Sequence, residues 1–165
     1  MTKSKIQKEH FMATKILGAR ICSDEATIVS LTKQDGGDFT LENQAVIKLQ
    51  EGDRPAAYDV FHGQFCDFIT HEHVSVVCIL GSIVSRSGTK LGHLHAAELR
   101  GVAQAAAATA GVEVRIINKA TVSRTFGERN VDEYVSDDGF WARNNLAELK
   151  KGWRLPAFAV ISQFS

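Results

Sequence analysis

The stretch Ser85-Arg86-Ser87-Gly88-Thr89-Lys90-Leu91-Gly92-His93-Leu94-His95 gathers groups able to do chemistry. It follows a nearly all-apolar run and precedes an alanine-rich segment, so it reads as the loop between a buried strand and a helix. Ligands in open sheets sit at such carboxyl ends of strands. Hydroxyls, Arg86, Lys90 and the free amides of a helix start suit a phosphate group. Arg86, Ser87, Lys90, His93 and His95 are therefore candidate ligand-binding residues. The glycines do not spell a P-loop, which ends in Gly-Lys-Ser/Thr. The competing reading is a solvated connection whose glycines permit turns.

His93, His95 and Glu98 raise the question of a metal. Histidines two apart project from different sides of a helix, and His95 with Glu98 makes a single i, i+3 pair. His71-Glu72-His73 reads as a helix end, where histidine complements the macrodipole. Neither group matches HExxH or a zinc-finger spacing, so no metal and no cofactor is expected. No Gly-x-Ser-x-Gly elbow occurs, and no catalytic residue is assigned. The three cysteines, Cys22, Cys66 and Cys78, are far apart and form no CxxC pair. Cys66 and Cys78 sit among apolar residues and read as small buried hydrophobes in a reducing compartment. A thiol buried like that of Cys78 makes a poor nucleophile.

Basic residues cluster late: Arg115, Lys119, Arg124 and Arg129, then Arg143, Lys150, Lys151 and Arg154. Phe126, Trp141 and Trp153 interleave with them, as in a face that tracks a backbone and stacks bases. That pattern adds Arg124 and Arg129 to the candidates. Asp132, Glu133, Asp137 and Asp138 fall between the two clusters and would repel phosphate. The alternative is a mixed-charge surface with its aromatics packed inward.

The elements that must position these residues follow from length and pattern. The chain has 165 residues, enough for one domain with a sizeable core. Its 44% hydrophobic and 23% charged residues exclude a disordered chain. Nineteen basic residues balance nineteen acidic ones, which removes a global electrostatic case for nucleic-acid binding and leaves a local one. No apolar run reaches the ~18 residues of a membrane span, and the N-terminus lacks an apolar signal region, so a cytoplasmic chain without membrane contact is expected.

Residues 1–14 read as a flexible polar lead and 15–165 as a single domain. Lys15 to Cys22, Ala26 to Leu31 and the run from Phe39 to Leu49 read as three strands, with Gln34-Asp35-Gly36-Gly37-Asp38 as the strongest turn. Ala57, Phe61, Phe65 and Phe68 recur at helical spacing after Pro55. Val74 to Leu80 has the composition of a central strand covered on both faces. An alanine-rich helix runs from about Leu94 to Ala110, stopped by Gly111, and Val112, Val114 and Ile116 alternate as a further strand. A helix is predicted over Asp138 to Lys150, and Leu155 to Phe164 is an apolar tail docked on its own domain or on a partner. The order β-β-β-α-β-α-β-α implies an α/β fold: a mixed five-stranded sheet, an antiparallel meander plus parallel strands, with helices on its faces.

This order, with the first strand Ile16-Leu17-Gly18-Ala19-Arg20-Ile21, resembles the ribonuclease H-like fold, in the branch of RuvC-type Holliday-junction resolvases and their small uncharacterised relatives. The likeness also rests on the Asp35-Gly36-Gly37 hairpin, the apolar fourth strand and Ala96-Ala97-Glu98-Leu99-Arg100-Gly101 in the next helix. It spans roughly Lys15 to Lys119. The resemblance implies carboxylates holding two metal ions about 4 Å apart, which activate water and stabilise the leaving oxygen. One belongs in the first strand, one at the end of the fourth, and one or two on the last helix. Lys15 to Cys22 offers no acid, and the fourth strand ends Ile79-Leu80-Gly81-Ser82. The expectation is therefore a non-catalytic, resolvase-like domain that binds DNA or RNA through a basic cleft. The alternatives are a protein-interaction or homodimerisation module with a vestigial cleft, and a metal-dependent nuclease rebuilt around His93, His95 and Glu98 or around Asp137 or Asp138.

Overall fold

Alternating apolar residues build the first strands of the computed structural model, which describes residues 13–81, 87–127 and 129–165. Strand β1 (Thr14–Ile21) pairs antiparallel with β2 (Glu25–Lys33), which pairs antiparallel with β3 (Phe39–Lys48). Between β2 and β3 the Gln34 amide donates to the Asp38 carbonyl, and Gly37 takes φ +91°, a conformation that favours glycine. The meander predicted from the sequence is present.

Helix α1 (Arg54–His71) begins at Asp53, whose carboxylate accepts from the Ala56 amide at 3.0 Å, with Pro55 in the first turn. It buries Ala57, Phe61, Phe65 and Ile69, one stripe at helical spacing. Strand β4 (Val76–Leu80) is buried along its whole length. Helix α2 (Leu91–Thr109) buries Leu99, Ala103, Ala106 and Ala107, whose small side chains let it lie close on the sheet. Strand β5 (Glu113–Ile117) completes a mixed five-stranded sheet of order β3-β2-β1-β4-β5. β4 is parallel to both β1 and β5, so these three strands end at the same edge.

Beyond β5 the outcome departs from expectation. Three short helices follow: α3 (Lys119–Thr125), α4 (Val131–Ser136) and α5 (Asp138–Arg143). The helix predicted to run from Asp138 to Lys150 stops at Arg143, and Asn145 takes φ +60° just after it. Asn118, Asn130 and Asp137 cap α3, α4 and α5 through side-chain oxygens, so this region is defined by its caps rather than by long periodicity. The apolar tail is helix α6 (Lys151–Phe164), despite Pro156 in its interior.

α6 covers one face of the sheet, with Phe158, Val160 and Ile161 fully buried against Ile16, Val29, Leu31 and Cys78. α1 and α2 cover the other, against Leu17, Ala19, Ile28, Val77 and Ile79. The tail is thus buried in its own chain, which removes it as the exposed partner surface that was the alternative. Gly18 permits its approach: a Cβ there would lie 2.2 Å from the Pro156 carbonyl oxygen. Among the described residues, no helix is long and apolar enough to cross a membrane.

Candidate functional site

The shared carboxyl edge of β1, β4 and β5 opens into a recess of about 390 Å³. Among the described residues three cations line it, each carried there by a different element. Arg20 is the exposed residue between buried Ala19 and Ile21 at the end of β1. Arg100 comes from α2, and Lys119 is the first residue of α3, placed by the end of β5. Ile21, Leu80, Ala96 and Leu155 give an apolar floor, and Cys22, Ser23 and His93 complete the wall around two glycines. Among the described residues, no acidic side chain lines the recess.

The electrostatics are one-sided. Burial lowers the pKa of Arg100 from its ordinary value, with Cys22 acting in the opposite sense, yet a guanidinium remains charged at neutral pH. Among the described residues, no ion pair with an acidic side chain involves Arg20 or Lys119. Nδ1 of His93 accepts from the Lys90 amide at 3.2 Å, which leaves the proton of the neutral imidazole on Nε2 as a donor.

The residues singled out from sequence divide sharply. Arg86 lies outside the described residues. Ser87 and Lys90 are exposed before α2, and Lys90 is its N-cap residue. Of the candidates among the described residues, only His93 lines the recess. His95 is half-buried on α2 and lies outside the lining. Glu98 accepts from the Tyr58 hydroxyl at 2.5 Å and pairs with Arg54 at 3.6 Å, bracing α1 against α2. The Tyr58 bond, foremost, holds the Glu98 carboxyl below its usual value, and burial followed by that same bond raises Tyr58.

Arg124 sits on α3 outside the recess, its Nε donating to the Ala120 carbonyl. Arg129 is committed elsewhere: it pairs with Asp137 at 2.9 Å, donates to the Glu133 carbonyl and stacks over Tyr134. The interleaved aromatics face inward, which corrects the base-stacking reading. Trp141 is fully buried and donates to the Tyr134 carbonyl at 2.9 Å, Phe126 stacks on Phe158, and Trp153 donates to the Ala45 carbonyl. Phe126 and Trp141 pack between the short helices and α6, and Trp153 of α6 leans on β3, so their area goes to packing.

Neither β1 nor β4 carries an aspartate or glutamate, so two of the three places where the resemblance implies a metal-binding carboxylate lack one. The last helix, α6, carries none either, and Asp138 of the helix predicted over Asp138 to Lys150 falls on α5. Asp137 and Asp138 sit at the start of α5, bound to Arg129 and Arg154. Among the described residues no group of three His, Cys, Asp or Glu side chains could hold a metal ion. Burial pushes the Cys78 thiol up to about 12, far from a nucleophilic thiolate. Arg20 and Arg100 were missed as site residues. The one signal for Arg20 was an arginine interrupting the apolar strand just before its end.

No protein-family model matches the chain, and no curated protein matches it. Solved structures do resemble it. The Thermus thermophilus RuvC structure superposes with TM-score 0.72 at 15% identity, over 92% of this chain and 94% of that one. T. thermophilus RuvC in complex with a Holliday junction substrate gives 0.69 at 14% identity, over 90% and 91%. The yeast mitochondrial Holliday junction resolvase Ydc2 gives 0.61 at 11% identity, over 92% of this chain and 78% of that one. The fold is ribonuclease H-like and resembles that of RuvC-type resolvases.

Proposed function

We propose that this chain binds nucleic acid through its phosphates at the carboxyl edge of the sheet and does not cleave it by two-metal chemistry. The observation that carries this reading is the sign of the charge there: among the described residues, Arg20, Arg100 and Lys119 line the recess and no acid does. Two-metal hydrolysis needs carboxylates to hold the ions and balance their charge, and cations repel them. The same cations displace counterions from a phosphate backbone. A resolvase of this fold is described with a Holliday junction substrate, which supports nucleic acid over other polyanions.

Each group has a role in that reading. The Arg20 guanidinium offers paired N–H donors that match phosphate oxygens, and Lys119 and the half-buried Arg100 add positive charge. His93 contributes its Nε2 donor at the start of α2, where the helix end favours an anion. Ser87, Lys90, His95 and Arg86 flank this helix start in the chain, and Arg124 lies on the helix that Lys119 opens. Arg129 is left out because Asp137 neutralises it.

The test is a panel of labelled single strands, duplexes, RNA and four-way junctions, at low and high salt with magnesium present. Salt-sensitive binding without product is expected. Metal-dependent cleavage, or no binding even at low salt, overturns the reading.

A further inference from the structure

Resting on that reading, we infer that the recess takes the phosphorylated end of a strand, a nucleoside phosphate monoester, rather than a stretch of continuous backbone. The first reason is convergence. Arg20, Arg100 and Lys119 come to one recess of about 390 Å³ from β1, α2 and the start of α3, so their charge is gathered in one small site. A tracking groove instead needs cations in a row along the strand.

The second reason is that five arginines able to extend such a row are paired with acids. Arg54 pairs with Glu98, Arg115 with Glu113, Arg129 and Arg143 with Asp137, and Arg154 with Asp138. A phosphate monoester carries roughly −1.5 to −2 at neutral pH, whereas each diester link carries one charge, so the monoester answers a concentrated cluster better. The third reason is the floor. Ile21, Leu80, Ala96 and Leu155 lie beside the cations, giving a sugar and base an apolar surface next to the phosphate. A recess of about 390 Å³ falls in the range of small-ligand sites and not of duplex grooves.

One ligand chemistry has two sources here, a free nucleotide and a strand end, and the experiment separates them. Short labelled single strands with a 5′-phosphate, a 3′-phosphate or hydroxyl ends are titrated against the full chain, with adenosine monophosphate and inorganic phosphate as competitors. Arg20→Gln and Lys119→Gln are measured in parallel, with circular dichroism and thermal melting reporting their fold.

A phosphorylated end is expected to bind about tenfold or more tightly than the hydroxyl end, the effect of one good charge-assisted contact. Each folded variant is expected to lose that preference, with adenosine monophosphate competing better than inorganic phosphate. Binding of adenosine monophosphate alone, lost in the variants, supports the pocket's ligand class and overturns the strand reading. Equal, salt-sensitive binding of all strands overturns the end-group inference and leaves the broader reading standing. No binding of any probe overturns both.

Discussion

Two groups of cations on this chain have opposite fates. Around α4 and α5, Arg129 and Arg143 converge on Asp137, and Arg154 reaches Asp138, the Leu149 and Val135 carbonyls and the Trp141 ring. There the charges fasten short helices to α6. At the carboxyl edge of the sheet, Arg20 and Lys119 have no acidic partner among the described residues. Both groups are basic in sequence, and only the second is left to attract an anion. The lesson is that a basic run identifies a binding face only after its internal acids have been subtracted.

The two regions stand on one platform, so the largest effect comes from disturbing it. Gly18→Ala brings a Cβ to 2.2 Å from the Pro156 oxygen and 2.7 Å from its carbon, both backbone atoms that cannot swing aside. A cost of about 3 kcal/mol is expected from such overpacking, read by denaturant unfolding. Arg154→Met comes next and acts on the fastening region alone. It removes donors from the Leu149 and Val135 carbonyls, while Asp138 is already 79% exposed and readily solvated. About 2 kcal/mol of stability is expected to go, with strand affinity unchanged.

Arg20→Gln is expected to do the reverse. It loses about 1.4 kcal/mol of binding, tenfold in Kd, and leaves the melting temperature within error of the parent. A variant that weakens both properties, or neither, breaks the division between the regions. The smallest effect belongs to Asp137. The Arg129 hydrogen bond, helped by the Phe140 amide, holds its carboxyl below the usual 3.8. A depressed folded value means the contribution is complete above 3.8 and is lost as pH falls through the lower folded value. Asp137→Asn is therefore expected to cost stability at neutral pH, by a margin that narrows below the ordinary carboxylate range in melting curves taken against pH.

How far the sequence foretold this follows from what each signal measures. The meander, α1, β4 and α2 were legible because periodicity reports burial on one or both faces. α3 and α4 escaped because helices of seven and six residues carry too few turns for a period, and their caps, Asn118 and Asn130, resemble ordinary loop residues. α6 looked like a tail because its residues from Pro156 to Ser162 are all buried, which erases amphipathic contrast. The strand edge singled out from sequence holds the recess, and His93 lines it. Arg20, Arg100 and Lys119 are 80 and 19 residues apart in sequence, and only the parallel pairing of β1, β4 and β5 brings them to one recess.

The most direct test of the recess as the binding site is the salt dependence of single-strand affinity in the parent and in Arg20→Gln/Lys119→Gln. Each phosphate neutralised contributes a slope of about −0.7 in log affinity against log salt, so removing two cations is expected to flatten the slope by about 0.7 if they share one phosphate and about 1.4 if they meet two. A double variant that keeps the parent's slope and affinity would place the strand elsewhere on the molecule and contradict the assignment.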